Sequence, residues 1–328
     1  MPKTRSPLDN IPSLVSDIPK FSKLASEGVE AELLAVDKGL APLGNLGQAI
    51  SWLAAIKDEE VPSINLPGIF VFVGAHSVAT DIIGEDPAKR ASGRIEALSK
   101  GRAGIRGIAG DMGASFQVFE MGLEAPAADI RSTASLDEHA CAQAIAFGMA
   151  SVNAQTDLLI LGSAGVGSAT AAAAIARGLY GGTSDYWADG DDQGAHKRIL
   201  AVEEAVHFHR SIQGDPVKLL QAFGGHDLAG IFGAILAAGH QGIPVLLDGF
   251  VVCAAAALLY TLNPDALDHC YATHLTTEPA HGALLDRIGK TPLLDLGIGI
   301  GDGTGAALTA GLLRSACVAY GEIHSSEA

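Results

Sequence analysis

Basic side chains are scarce: 21 Lys and Arg stand against 37 Asp and Glu, a formal charge of −16 at pH 7. That balance excludes general affinity for nucleic acid or an anionic membrane surface, since both rest on clustered cations. An anionic small molecule would need a local cradle of backbone N–H groups and one or two cations. Aromatic residues are also few, at 5% of the chain, against 40 glycines and 48% hydrophobic residues. Helices lying close on a sheet through small side chains suit this composition. Only four cysteines occur, Cys141, Cys253, Cys270 and Cys317. None forms a CxxC pair and each sits in an apolar run, which points to reduced structural thiols in a cytosolic compartment. The opening MPKTRSPLDNIPSLV lacks the apolar stretch of a signal peptide, so none is expected. Long apolar runs are missing too. The region from Leu228 to Leu262 is the most apolar, but His240, Gln241 and Asp248 interrupt it. What remains is shorter than the roughly 20 residues of a membrane span. It reads as buried helix, strand, helix.

What is present is a rhythm of short apolar runs, each closed by glycine or a polar turn and followed by a helical stretch. The runs are GIFVFVGAHS, SFQVFEMGL, DLLILGSAG, GIPVLLDGF and TPLLDLGIGIGDG. Continuous rather than alternating apolar strands, spaced by helices, predict an α/β fold with a mostly parallel sheet covered on both faces. Ligands bind outside the carboxyl ends of such strands. GAHS (74–77), GSAGVGS (162–168), DGF (248–250) and GDGTG (301–305) therefore fall along one edge. Residues 1–60 read as mostly helical, from LVSDIPKFSKLASEGVEAELLAV through a Gly/Pro break to NLGQAISWLAAI.

The stretch LGSAGVGSATAAAA (161–174) places three glycines where a strand turns into a helix N-terminus. Backbone N–H groups there can hold a phosphate. From Gly162 to Thr170 the loop has no Asp, Glu, His, Lys or Arg, so acid–base chemistry must come from elsewhere. Other motifs are weak. There is no GxSxG elbow, no Lys-Ser/Thr ending of a P-loop, and GVGSAT departs from a dinucleotide fingerprint at Ala169 and Thr170. His207 and His209 are two apart and face different sides of a helix, so no metal site is expected.

Several longer pieces are distinctive together: GLYGGTSDYW (178–187), FGGHDLAGIFGAILAA (223–238), IPVLLDGF (243–250), NPDALDHC (263–270) and TEPAHGALLDRIGKTPLLDLGIGIGDGTGAALTAGLL (277–313). With the glycine loop they resemble the nicotinate-nucleotide:dimethylbenzimidazole phosphoribosyltransferase family over nearly the whole chain. The resemblance implies a large α/β nucleotide-binding domain over 61–309, and a small helical domain from 1–60 completed by about 310–328. It also implies a homodimer, small-molecule substrates, and no cofactor or metal; a heterodimer with a paralogue is the alternative assembly. The reaction it implies moves ribose 5-phosphate from nicotinate mononucleotide to an aromatic nitrogen such as that of 5,6-dimethylbenzimidazole, giving the α-ribotide of the cobalamin lower ligand.

By the same resemblance, Asp302 is the catalytic base, and Gly162, Ser163, Gly165, Gly167, Ser168, Thr170 and Lys197 hold the donor and its phosphate. His76, Ser77 and Ile300 fall on the acceptor side. Departures cluster around the acceptor. Asp302 stands where the family has glutamate, which retracts the carboxylate by about 1 to 1.5 Å, and a misplacement of ~1 Å costs on the order of 10²-fold in rate. A second family glutamate is Ser163, an asparagine is Ser168, and Ala75 and Ser77 flank His76. DKGLAPLGNL (37–46) matches the family only in part. Asp248, Glu278 and Arg198 read as structural or solvated residues. Two alternatives stay open: a catalytically silent nucleotide-binding paralogue or partner subunit, and transfer to a different acceptor such as a phenol.

Overall fold

The structure, a computed structural model, describes residues 6–35, 43–190 and 193–327. Most of the Gly/Pro break after the second helix, residues 36–42, lies outside the described residues. The chain begins with helices α1 (Ile11–Ser16), α2 (Leu24–Ala35) and α3 (Asn45–Lys57). The mostly helical reading of residues 1–60 holds, with a break between α1 and α2, since the residue before Pro19 is pushed out of helical geometry.

Alternating strands and helices follow: β1 (Pro67–Gly74), α4 (Thr80–Ile83), α5 (Pro87–Ser99), α6 (Gly104–Met112), β2 (Ser115–Met121), α7 (Glu138–Ser151), β3 (Leu158–Ser163) and α8 (Ser168–Tyr180). Next come α9 (Ser184–Ala188), α10 (Ala195–Phe208), α11 (Pro216–Phe223), α12 (Gly225–Gln241), β4 (Val245–Leu247), α13 (Gly249–Leu262) and β5 (Cys270–Ala272). The chain closes with β6 (His274–Thr276), α14 (Pro279–Arg287), β7 (Leu294–Ile298) and α15 (Thr304–Glu327). The apolar region from Leu228 thus folds as the expected helix, strand, helix.

Five strands pair in parallel in the order β2-β1-β3-β4-β5. Four are those read from the sequence, but the fifth is β5. The TPLLDLGIG run becomes β7, which pairs with β6 in a separate two-stranded sheet. Side chains of a strand alternate between faces, and the two faces carry different helices. Phe70, Phe72, Leu159, Leu161 and Val245 pack into one core with α7, α8 and α11 to α13. Ile69, Val71, Val73, Ile160 and Leu246 pack into the other with α2, α3, α6 and α15. The first helices divide between the faces. Val15 of α1 joins the first core, while Val29 and Leu53 of α2 and α3 join the second.

Glycine explains the closest approach. A Cβ at Gly148 of α7 would stand 1.9 Å from the carbonyl oxygen of Gly230, and one at Gly233 of α12 would stand 2.1 Å from that of Ile145. Those helices touch backbone to backbone. All four cysteines are buried and unpaired, and burial raises the thiol pKa of Cys141 and Cys270 to about 12. Among the described residues no helix is long and apolar enough to cross a membrane, and no cluster of three His, Cys, Asp or Glu fits a metal ion.

Candidate active site

The glycine loop continues β3 past the sheet edge. Ser163 N–H donates to Gly301 O at 2.7 Å, Ala164 N–H to Phe72 O at 3.0 Å, and Val166 N–H to Gly74 O at 2.9 Å. These three amides are therefore occupied. Ser168, Ala169 and Thr170 open α8, so their N–H groups have no carbonyl one turn earlier within the helix. Gly167 has φ +92°, and a Cβ there would meet His76 Cβ at 2.8 Å. Only glycine makes this turn comfortably.

A buried triad fixes the loop from below. Ser168 Oγ donates to Asp227 Oδ2 at 2.5 Å, and His76 Nε2 lies 2.9 Å from Asp227 Oδ1. All three side chains are buried. Burial alone would raise the Asp227 pKa, but the His76 charge and the hydrogen bonds from His76 and Ser168 hold it below the ordinary aspartate value. The fit is tight, since a Cβ at Gly165 would stand 2.2 Å from Ser168 Oγ and 2.3 Å from Asp227 Oδ2.

The GDG turn reaches the same edge from the other direction. Gly162 carries no side chain because the Asp302 backbone crosses it, with a Cβ there only 2.3 Å from the Asp302 carbonyl carbon. Asp302 Oδ1 accepts hydrogen bonds from Thr304 N–H at 3.1 Å and Thr304 Oγ1–H at 2.6 Å. One carboxylate oxygen thus caps α15.

Between loop and turn lies a cavity of about 470 Å³, whose walls include Arg94, Ser163, Ser168, Phe250, Glu278 and Asp302. Of the residues singled out in the sequence, Ser163, Gly165, Gly167, Ser168, Ile300 and Asp302 line it. Gly162 and Thr170 do not; Gly162 seats the Asp302 turn and Thr170 is buried in α8. His76 is buried beneath the loop rather than exposed to the cavity, and Ser77 opens a 3-10 turn beside it. Lys197 is elsewhere. It lines a second cavity with Asp81, Arg131 and Glu204, and its Nζ donates to Asp81 O at 2.7 Å. Its neighbour Arg198 instead lines a third cavity, which shares Ala169, Phe250 and Glu278 with the first. Adjacent helical residues point about 100° apart, so only one of the pair can face the site.

Glu278 and Arg94 are the cavity residues that sequence reasoning underrated or missed. Glu278 is half-buried, its Oε2 accepts from Thr276 Oγ1 at 3.3 Å, and burial raises its pKa. Asp248, also read as structural, is buried just behind. Its Oδ2 accepts from Ala306 N–H at 2.9 Å, and its Oδ1 lies 3.9 Å from His274 Nε2 without a hydrogen bond. Burial, reinforced by the nearby charges of Asp302 and Glu278, pushes its pKa up to about 8.

Comparisons with known proteins converge on one family. A family model described as phosphoribosyltransferase matches residues 18–328. Nicotinate-nucleotide–dimethylbenzimidazole phosphoribosyltransferase of Brucella abortus (strain S19) is 40% identical over 321 residues, spanning 96% of this chain and 94% of the relative. The enzyme of the same name from Brucella canis is 39% identical over the same shares. A crystal structure of such an enzyme from Thermus thermophilus superposes with a TM-score of 0.82 at 26% identity, over 90% of this chain and 95% of that one.

Proposed function

The chain belongs to the nicotinate-nucleotide–dimethylbenzimidazole phosphoribosyltransferase family, and we propose that its main cavity carries the family reaction. Ribose 5-phosphate passes from nicotinate mononucleotide to a ring nitrogen of 5,6-dimethylbenzimidazole or a close relative. The bond from ribose C1′ to the pyridinium nitrogen breaks, and its electron pair leaves with nicotinate. The acceptor's ring nitrogen supplies the new bond to C1′, and its N–H proton passes to a carboxylate. Nicotinate leaves neutral at nitrogen, so the acid–base demand falls on the acceptor.

The observation that carries this reading is the meeting of two distant segments at one cavity. Ser163 and Ser168 of the glycine loop share its wall with Asp302 of the GDG turn, and the Ser163–Gly301 hydrogen bond joins them at 2.7 Å. Ser168 and Ala169, in the first turn of α8 and on the cavity wall, suit the donor phosphate through their helix N-terminal amides. Asp302 is assigned as base through the carboxylate oxygen that Thr304 does not occupy. Lys197 lines a separate cavity, so the donor reading rests on the loop.

Asp302→Asn separates the two duties of the residue, because the amide oxygen still caps α15 while the base is gone. Transfer measured as nicotinate release is expected to fall about 10²- to 10⁴-fold, the usual worth of a general base, with unchanged thermal stability. Full activity in this variant would remove Asp302 from the role.

A further inference from the structure

We infer that Arg94 is an anion-recognition residue of the main cavity, binding a carboxylate or phosphate group of a substrate and helping to set which substrates the cavity takes. The inference rests on the phosphoribosyltransferase reading of that cavity. Three observations lead to it. First, Arg94 is a cation in the wall of the cavity that holds Ser163, Ser168 and Asp302, whereas Lys197, the cation expected there, lines a different one. Second, Arg94 is held without being neutralised. Its Nη1 donates to the carbonyl oxygens of Ala164 at 2.9 Å and Gly165 at 2.6 Å. Among the described residues it forms no ion pair, although Asp302 and Glu278 line the same cavity. Other arginines near the loops are matched, Arg131 with Asp129 at 2.6 Å and Arg177 with Glu203 at 2.7 Å. Third, a guanidinium carries five donors, and two carbonyls on one nitrogen leave the rest of the fork for a planar anion in a preset orientation.

The environment agrees with an unfilled demand for negative charge. Desolvation of the head group, with the charge of Arg90 one turn earlier, holds the Arg94 pKa below the ordinary arginine value. Arg90 has its own partner, Glu85, at 3.3 Å. In a chain of net charge −16, an unmatched arginine on the wall of the substrate cavity is a specific arrangement rather than part of a basic surface.

The anion has two possible sources. It belongs either to the donor, as its carboxylate or phosphate, or to an acceptor that carries an ionised substituent. Calorimetric Kd values separate them, measured on wild type, R94Q and R94K with nicotinate mononucleotide, benzimidazole and benzimidazole-5-carboxylate. A donor contact weakens R94Q binding of nicotinate mononucleotide by about tenfold or more, the usual loss of a charge-assisted hydrogen bond. An acceptor contact leaves the donor Kd unchanged and costs a similar factor on the carboxylate acceptor alone. R94K, which keeps the charge without the fork, recovers part of either loss. Arg94 is an exposed residue of α5, so both variants are expected to fold, and melting temperatures equal to wild type check this. If R94Q binds all three ligands within about twofold of wild type, Arg94 only clamps the loop and the inference is wrong. Nicotinate release by the wild type is scored separately. Its absence with every acceptor counts against the transferase reading, while the Kd series still decides the part played by Arg94.

Discussion

As the proposed base, Asp302 would have two jobs for one carboxylate, and its contacts bear on both. Its Oδ1 is committed to Thr304 as the cap of α15, which holds the group toward the helix, and its side chain is one methylene shorter than the family's glutamate. Ser163, on the opposite strand end, offers a hydroxyl where the family has its other glutamate. The double change Ser163→Glu, Asp302→Glu extends the carboxylate by about 1 to 1.5 Å into the cavity and is expected to raise kcat/KM for 5,6-dimethylbenzimidazole by on the order of tenfold or more. No gain would locate the limitation in the cavity walls instead. Asp248 gives a second test, through pH. Its folded pKa near 8 lies above the unfolded value of 3.8, so the folded state holds a proton that the unfolded state releases. Its contribution to stability therefore falls as pH rises between those values. Asp248→Asn keeps the acceptor for Ala306 N–H but has nothing to ionise. The melting temperature of this variant relative to wild type is expected to climb as pH is raised from about 5 to 8; a flat difference would mean that Asp248 is ionised at little cost. At this scale the sequence was legible where a residue's identity alone decided its place. It was not legible where helical phase decided. Lys197 and Arg198 line different cavities because they are adjacent on α10, and Arg94 was missed because PAKRASGRIEALS, with Lys89, Arg90, Arg94 and Glu96, reads as a solvated helix.

Among the elements, glycine marks where backbones meet. Gly162 lies in β3 under the Asp302 peptide, so Gly162→Ala must push the turn away by an ångström or so. Transfer is expected to drop on the order of 10²-fold, read as nicotinate release, while binding at the α8 N-terminus is kept; unchanged turnover would show that the turn adjusts freely. Gly233 tests the packing of α7 on α12. Alanine in a helix interior ordinarily stabilises by about 1 kcal/mol over glycine, but here the new methyl meets the Ile145 carbonyl at 2.1 Å. The sign reverses, and urea unfolding is expected to show a loss of about 1 to 3 kcal/mol. Strands β1, β3 and β4 could be read from the sequence because both faces are buried and the apolar runs are continuous. Strands β5 and β6 could not. Each has three residues, and the buried His269, just before β5, and His274, the first residue of β6, break the apolar signal. Their imidazoles are accommodated by fold-specific contacts, His269 with the Ile235 carbonyl at 3.0 Å and His274 with Thr273 Oγ1 at 3.0 Å.

Across the whole molecule, the order of strands brings residues about 140 positions apart, Ser163 and Asp302, to one cavity. Only the topology does this, since β7 leaves the main sheet and the chain then returns over β3 before entering α15. The resemblance of long sequence pieces made that meeting foreseeable, but it did not reveal that the cavity's cation is Arg94 or that His76 is buried with Asp227 beneath the loop. The decisive measurement is mass analysis of purified protein incubated with nicotinate mononucleotide and 5,6-dimethylbenzimidazole. Free nicotinate and the benzimidazole α-ribotide in equal amounts are expected. Tight binding of nicotinate mononucleotide with no nicotinate released, here and with a panel of other benzimidazoles and phenols, would contradict a transferase and leave a nucleotide-binding protein.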